Sequence, residues 1–356
     1  AGPGSIFWMW VTAIIGIATK FFTCTLSVMF REKNNEGEVL GGPMYVIKNG
    51  LPKKMLPLAY FFAFAGMIGC LPAFQSNQLI QITGDLAFSN IENFDLYGGL
   101  ALAFITAIVV LGGLKRIAEV ASYLVPFMGS VYFGAMLAAI IFNLHLIIPA
   151  FKLILTDAFS GSAIAGGTFF GVLIYGVRRG AFSNEAGMGT ESLVHGVAKV
   201  SNPIKQGLVA MTGPIFDTLI ICTATALMIL ISGVWETSSS QGVTLTAEAF
   251  SSLLGGFGGL ILFACVICFG LSTIFTYSYY GASCSRFLFG KLGMRFYVYL
   301  YIISIFIYSI VPIDIAINIA DGAFAMMAIP TLVSALWLAP KVMQASKNYF
   351  KIIETK

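Results

Sequence analysis

Residues 168–189 read TFFGVLIYGVRRGAFSNEAGMG, and the stretch starts as a greasy helix without finishing as one. Thr168–Val177 is apolar, but Arg178, Arg179, Gly180, Asn184, Glu185, Gly187 and Gly189 then interrupt it. Unwound backbone at membrane depth survives only where protein or a water-filled cavity satisfies its N–H and C=O groups, and in membrane carriers such breaks hold ions and substrates. Hydropathy alone leaves a second reading open, in which 178–202 is a long cytoplasmic loop.

The surrounding sequence supplies the membrane. The chain has 356 residues, 58% of them hydrophobic and only 10% charged, with a mean hydropathy of +0.89. That lies outside the soluble globular range and identifies an integral membrane protein. The apolar runs reach about 20 residues or more, enough for a hydrocarbon core of roughly 30 Å. They lack the two-residue alternation of outer-membrane barrels. The net charge of +4 is small and scattered in clusters, so nucleic acid binding has no support. Six cysteines lie almost entirely in apolar runs as small hydrophobes. Cys265 and Cys268 form a CxxC with no second pair or nearby histidine, which favours packing over metal or redox chemistry.

Apolar runs and breakers place nine spans near 5–30, 56–88, 97–113, 117–143, 163–197, 203–233, 255–289, 294–311 and 313–338. Lys and Arg orient them. Arg31, Lys33, Lys48, Lys53 and Lys54 fall on one side, then Lys115 and Arg116, then Arg178, Arg179, Lys199 and Lys205, then Arg286, Lys291 and Arg295, then the lysines of the tail. The positive-inside rule puts these in the cytoplasm, with Ala1 outside and the C-terminus inside a plasma (inner) membrane. An outside start with nine spans leads us to expect a fragment of a longer protein.

Polar residues inside the spans are the candidate site. In 255–289 the hydroxyls of Ser272 and Thr273, with the carbonyl of Phe269 one turn earlier, can offer three oxygens to a small hard cation. The alternative is that they bond back to carbonyls or glue neighbouring helices. In 56–88, Pro72 precedes the amides Gln75, Asn77 and Gln78. Intramembrane charges cost roughly 2.5–3.5 kcal/mol each and need a partner or a cavity. Lys20 and Asp217 lie about 16 and 21 Å from the cytoplasmic side by helical rise, compatible depths for an ion pair. Asp321 is a third such charge. His145 and His195 fall in expected loops, which argues against a histidine proton relay. Gly41–Leu51 reads as a short interfacial helix, entered through Gly-Gly-Pro and ended by Asn49-Gly50. The outer loop 234–254 reads either as a lid or as a plain connector.

Several motifs then occur together and in order: Gly2-Pro3-Gly4-Ser5 through Trp10, Arg31-Glu32-Lys33, Gly41-Gly42-Pro43-Met44-Tyr45, Phe182-Ser183-Asn184-Glu185-Ala186-Gly187 and Phe216-Asp217-Thr218. They resemble the sodium:alanine symporter family over essentially the whole chain. The resemblance implies an all-α, leucine-transporter-type fold of two inverted repeats, with the first broken core helix missing upstream of Ala1. The first repeat's remainder would occupy 1–143, an outer connector 144–162, the second repeat 163–338 and a cytoplasmic tail 339–356. It implies sodium-coupled symport of a small neutral amino acid, alanine or glycine, by a monomer in the lipid bilayer. Sodium would be held by Phe269, Ser272 and Thr273. Substrate would meet Phe182, Ser183, Asn184, Gln75, Asn77 and Tyr277, with Phe182 as a lid. Lys20, Asp217, Glu185 and Asp321 would be structural or gating residues, Glu185 near the cytoplasmic side beside Arg178 and Arg179. Three departures bear on the pocket: Thr23 where the family usually has glutamate, Leu71-Pro72 in place of glycine-asparagine, and Tyr277 where tryptophan is common. The alternatives are a proton-coupled carrier using Lys20, Asp217 or Asp321, and a nonfunctional or sensor remnant. An intramembrane enzyme lacks any metal or triad constellation.

Overall fold

The structure, a computed structural model, describes residues 2–160, 169–240 and 242–354. Ala1, the start of the expected span at 163–168, Gln241 of the outer loop and Lys356 of the tail lie outside the described residues. The regular structure among the described residues is helical apart from a two-stranded hairpin, Glu32–Lys33 against Val39–Leu40. Six helical stretches are long and apolar enough to cross a membrane: Ser5–Met29, Lys53–Ala87, Gly113–Phe142, Pro203–Ser232, Gly256–Ile310 and Ile313–Ile353. Phe94–Val110 and Val243–Leu254 are shorter apolar helices.

In chain order the helices are α1 (Ser5–Met29), α2 (Pro43–Gly50), α3 (Leu56–Gly69), α4 (Ala73–Ala87), α5 (Phe94–Val110), α6 (Gly113–Phe142), α7 (Leu144–Phe159), α8 (Phe169–Asn184), α9 (Thr190–His195), α10 (Pro203–Pro214), α11 (Thr223–Ser232), α12 (Val234–Thr237), α13 (Val243–Leu254), α14 (Gly256–Ile310) and α15 (Ile313–Glu354). The expected interfacial helix is α2, with Pro43 in its first turn and Gly42 at φ 120 before it. The 35-residue stretch Lys53–Ala87 is interrupted at Cys70–Pro72 between α3 and α4. Gly290, at φ 70 and ψ −159, divides α14 in two. The expected connector 144–162 holds α7, whose Asp157 carboxylate accepts the Gly4 N–H at 2.7 Å and so caps α1 from another helix.

Helix α1 runs parallel to α8 and α9 and fixes their depth. A Cβ at Gly176 would meet the Ser5 carbonyl at 2.4 Å, and one at Gly180 would sit 3.2 Å from Met9 Cα and 3.0 Å from Thr12. Further along, Gly16 abuts Asn184 and Ala186, Thr23 bonds Glu191, Ser27 bonds the Ser192 carbonyl, and Arg31 reaches the carbonyls of Ala198 and Val200. Arg178 and Arg179 therefore lie level with the first turns of α1, about 30 Å by helical rise from Arg31. The expectation that they share a side with Lys199 is wrong, and so is a loop beginning at 178. The helix continues through both arginines because Arg179 has an intramembrane partner, Asp321, and unwinds only after Asn184.

Candidate functional site

The break between α8 and α9 is made by three positive φ angles, at Glu185 (54), Gly187 (82) and Gly189 (93). Local side chains satisfy the freed N–H groups. Asn184 Oδ1 accepts from Ala186 N at 2.9 Å, and Glu191 Oε2 accepts from Gly189 N at 3.0 Å. Thr331 of α15 donates to the Met188 carbonyl at 3.3 Å. Gly187 and Gly189 are needed here, since a side chain in the left-handed region costs roughly 1–2 kcal/mol. Glu185 occupies that region without being glycine, which marks a position fixed by its surroundings.

A cavity of about 340 Å³ opens beside the break, walled by Phe74, Gln75 and Gln78 of α4, Phe182, Ser183 and Glu185, Asp217, Val243 of α13, and Phe269, Thr273 and Tyr277 of α14. Glu185 accepts from the Tyr277 hydroxyl at 2.6 Å and from Thr190 at 2.8 Å. It sits level with the middle of α1 and forms no pair with Arg178 or Arg179, contrary to the sequence reading. Tyr277 thus ties the continuous helix to the broken one. Ser183 donates to Asp217 Oδ2 at 2.6 Å, and Asp217 sits in a π-helical stretch, Ile215–Cys222, that follows Pro214. Wide turns of this kind recur at functional sites.

No ion pair joins Lys20 to Asp217 within 4.0 Å. Asp217 is turned toward Ser183, while the Lys20 ammonium lies against Gly213, 3.1 Å from where a Cβ would stand. The direct pair expected from matching depths is not made. Asp321 instead holds Arg179 at 2.7 Å with a second contact at 3.0 Å. The Arg179 guanidinium covers the Phe182 ring at 5.5 Å, and Phe182 makes edge contacts with Phe74 at 5.7 Å and Phe324 at 5.6 Å. On the far side of Phe182 a second cavity, about 530 Å³, is lined by Arg178, Asp321, Asn318 and the break residues Gly187 and Met188.

Phe269, Ser272 and Thr273 bring their oxygens together as their spacing requires. Ser272 and Thr273 both donate to the Phe269 carbonyl, at 3.0 and 2.9 Å, so this is also the back-bonding geometry named as the alternative. Thr273 and Phe269 face the cavity. Two expected substrate residues do not. Asn77 donates to the Val311 carbonyl at 2.7 Å and ends the α14 hairpin. Asn184 is buried against Gly16 and spends its oxygen on Ala186. Gln75, Phe182, Ser183 and Tyr277 do line the cavity.

Gly242 and Thr244, at the start of α13, cover the end of α4. A Cβ at Gly242 would lie 2.9 Å from Gln78 Oε1, and Thr244 donates to Asp85 at 3.3 Å. Hydrogen bonds from Ser238 and Ser240 hold the Glu248 carboxyl below its usual range and brace this cover. Sequence reasoning passed over Glu191 and Thr190. Their signal was a glutamate two residues after the last glycine of the break, inside a span otherwise read as crossing the membrane.

The sequence profile of the sodium:alanine symporter family matches residues 1–356. The chain is similar to the sodium/alanine symporter AgcS of Methanococcus maripaludis, with 38% identity over 99% of this chain and 78% of that one. It is also similar to the probable sodium/glutamine symporter GlnT of Bacillus subtilis, at 33% over 98% of this chain and 72% of the relative. The putative sodium/proton-dependent alanine carrier protein YrbD of the same organism is 31% identical over 98% and 75%. A broken helix, a cavity beside it that sets a few polar groups among aromatic walls, and a profile match from end to end agree: the chain belongs to the sodium:alanine symporter family.

Proposed function

We propose that this cation-coupled amino-acid transporter carries alanine or glycine across the plasma (inner) membrane together with sodium, by alternating access. The observation that carries the reading is the meeting of the Glu185–Gly189 break with α14 in one cavity, where Glu185 and Tyr277 are bonded beside Phe269 and Thr273. A zwitterion of this size needs an acceptor for its ammonium and donors for its carboxylate. Asp217, Ser183 and Gln75 supply polar groups on one wall, and Phe182 closes the other. The oxygens of Phe269, Ser272 and Thr273 form the sodium side, oxygen being the ligand that hard cations take. Sodium moving down 100 mV yields about 2.3 kcal/mol before any concentration term. The architecture in this reading is the leucine-transporter type, with nine crossings, inverted repeats in 1–143 and 163–338, a monomeric carrier, and the C-terminus in the cytoplasm.

A proton-coupled reading has its own support, since two carboxylates, Glu185 and Asp217, border the cavity. Uptake of labelled alanine and glycine into proteoliposomes separates the two. Uptake that requires external sodium and ignores a pH gradient supports the symport reading. Uptake driven by a pH gradient in potassium removes the ion from Ser272 and Thr273 and moves coupling to the carboxylates.

A further inference from the structure

Glu191 closes the Gly189 N–H of the break but does not line the cavity. It is 4% exposed and forms no ion pair within 4.0 Å. Each of its oxygens has a different task. Oε1 accepts from the Thr23 hydroxyl of α1 at 2.8 Å, and Oε2 accepts from the N–H of Gly189, the last residue of the break, at 3.0 Å. Lys20 precedes Thr23 by three residues on the same face of α1. A buried carboxyl is tolerated only when its oxygens are hydrogen-bonded, and these two bonds hold α1, the end of the break and α9 in one register.

We infer that Glu191 is the positioning residue of the broken helix: it clamps the Gly189 end of the break to α1 through Thr23, and thereby sets where Glu185 and the backbone of the break stand in the transport cavity. Neighbouring contacts run the same way. Glu185 bonds Thr190, the residue next to Glu191, so a shift of the first turn of α9 is passed to Glu185 and on to Tyr277. The sequence adds a reason for the carboxylate to come from α9. Thr23 stands where the resemblance leads one to expect glutamate, and Thr23 Oγ1 and Glu191 Oε1 are in hydrogen-bond contact, so a carboxylate can be brought to this spot from either helix. Alanine at 191 removes both contacts, whereas glutamine keeps an acceptor for the Gly189 N–H and can donate its amide N–H to the Thr23 hydroxyl oxygen.

The inference rests on the transport reading for its functional readout, and hydrogen exchange supplies a readout independent of it. The protein and its Glu191→Ala, Glu191→Gln and Thr23→Glu/Glu191→Ala variants are compared in proteoliposomes and in detergent. Amide exchange of the peptide spanning 185–193 should rise in Glu191→Ala, stay near the parent in Glu191→Gln, and return toward the parent in the double variant. Substrate KM should rise about tenfold in Glu191→Ala, the scale of losing a buried hydrogen-bond pair, with Glu191→Gln and the double variant within about threefold of the parent. If Glu191→Ala does not fold, recovery of folding in the double variant supports the inference equally, because it restores the carboxylate and nothing else. Unchanged exchange and KM in Glu191→Ala overturn the inference, as does a well-folded double variant no better than Glu191→Ala. A parent without cation-dependent uptake defeats the transport reading alone and leaves the exchange comparison to decide the clamp.

Discussion

Between α3 and α4 the chain breaks at Cys70–Pro72, and between α8 and α9 it breaks at Glu185–Gly189. The first break is made by a proline. Its backbone closes on itself, with Leu71 N bonded to Ile68 O at 3.1 Å, Ala73 N to Leu71 O at 2.8 Å and Ser76 N to Pro72 O at 2.9 Å. It has no positive φ and no charged residue. The second break is made by glycines and one strained glutamate, and side-chain oxygens from Asn184, Glu191 and Thr331 complete its backbone. A proline bend that satisfies itself re-aims a helix at little cost and leaves nothing for a ligand. A glycine break held by carboxylates stores strain and places polar groups in a cavity, which is what a binding site requires.

The sharpest test of this contrast is one methyl group in each break. Gly189→Ala puts a side chain at φ 93 with its Cβ 2.6 Å from Thr331 Oγ1 and 2.7 Å from both Phe62 and Pro43. Strain and overpacking together should cost about 3 kcal/mol or more. Gly69→Ala, beside the first break, meets Ala323 Cβ at 3.0 Å with no positive φ, and should cost about 1 kcal/mol. Thermal unfolding of the purified variants measures both. Equal shifts would mean that the two breaks are alike in kind.

The next test exchanges stability for function. Glu185→Ala removes the acceptor for Tyr277 and Thr190, two bonds to a charged group, and should lower uptake about 100-fold. Cys70→Ala removes a fully buried thiol at the other break and should leave uptake within about twofold of the parent once the amount of folded protein is matched. A Cys70→Ala loss comparable to that of Glu185→Ala would show that both breaks serve the substrate.

Much of this contrast could be read from the amino-acid order. Arg178 through Gly189 read as an interruption of an apolar helix, with a loop left open, and Pro72 read as freeing backbone groups before the amides of α4. Helical spacing placed the hydroxyls of Ser272 and Thr273 at the Phe269 carbonyl, where both donate to it in the back-bonding geometry of the alternative reading. What could not be read was direction. The two arginines looked cytoplasmic because hydropathy cannot say whether a polar stretch lies before or after a break, and the helix runs through them only because Asp321 lies 142 positions away. Asn77 looked like a pocket residue because a helical amide shows no preference between a cavity and a neighbouring carbonyl until the packing is known. Lys20 and Asp217 had matching depths, yet depth does not fix azimuth, and the π-helical stretch after Pro214 turns Asp217 toward Ser183.

Asn77 provides the third test. Its amide closes the Val311 carbonyl at the end of α14, so Asn77→Ala should lower stability by about 1–2 kcal/mol, the cost of one orphaned buried acceptor, with KM unchanged. Gln75→Ala, two residues away and facing the cavity, should do the reverse. A KM shift for Asn77→Ala larger than its effect on the unfolding midpoint would return this amide to the pocket.

The smallest effect is expected far from both breaks, in the hairpin that joins α1 to α2. Glu38 there meets Arg286 of α14, and Glu36 meets Lys291. The hydrogen bond from Arg286 holds the Glu38 carboxyl below its ordinary value of 4.5. A carboxyl lowered in the folded state binds fewer protons there than in the unfolded chain. Its contribution is therefore present above the ordinary value and is lost as pH falls through the lowered one. Glu38→Gln should sit slightly below the parent in unfolding midpoint at pH 7, and the gap should close in acid. The Glu38 side chain is 53% exposed, so solvent screens the pair and molar salt should close the same gap at neutral pH. Neither change touches the cavity, and uptake KM should stay where it was. A KM that follows Glu38 would mean that this end of α14 is coupled to the break, and that the contrast between a self-contained bend and a carboxylate-held site is drawn too locally.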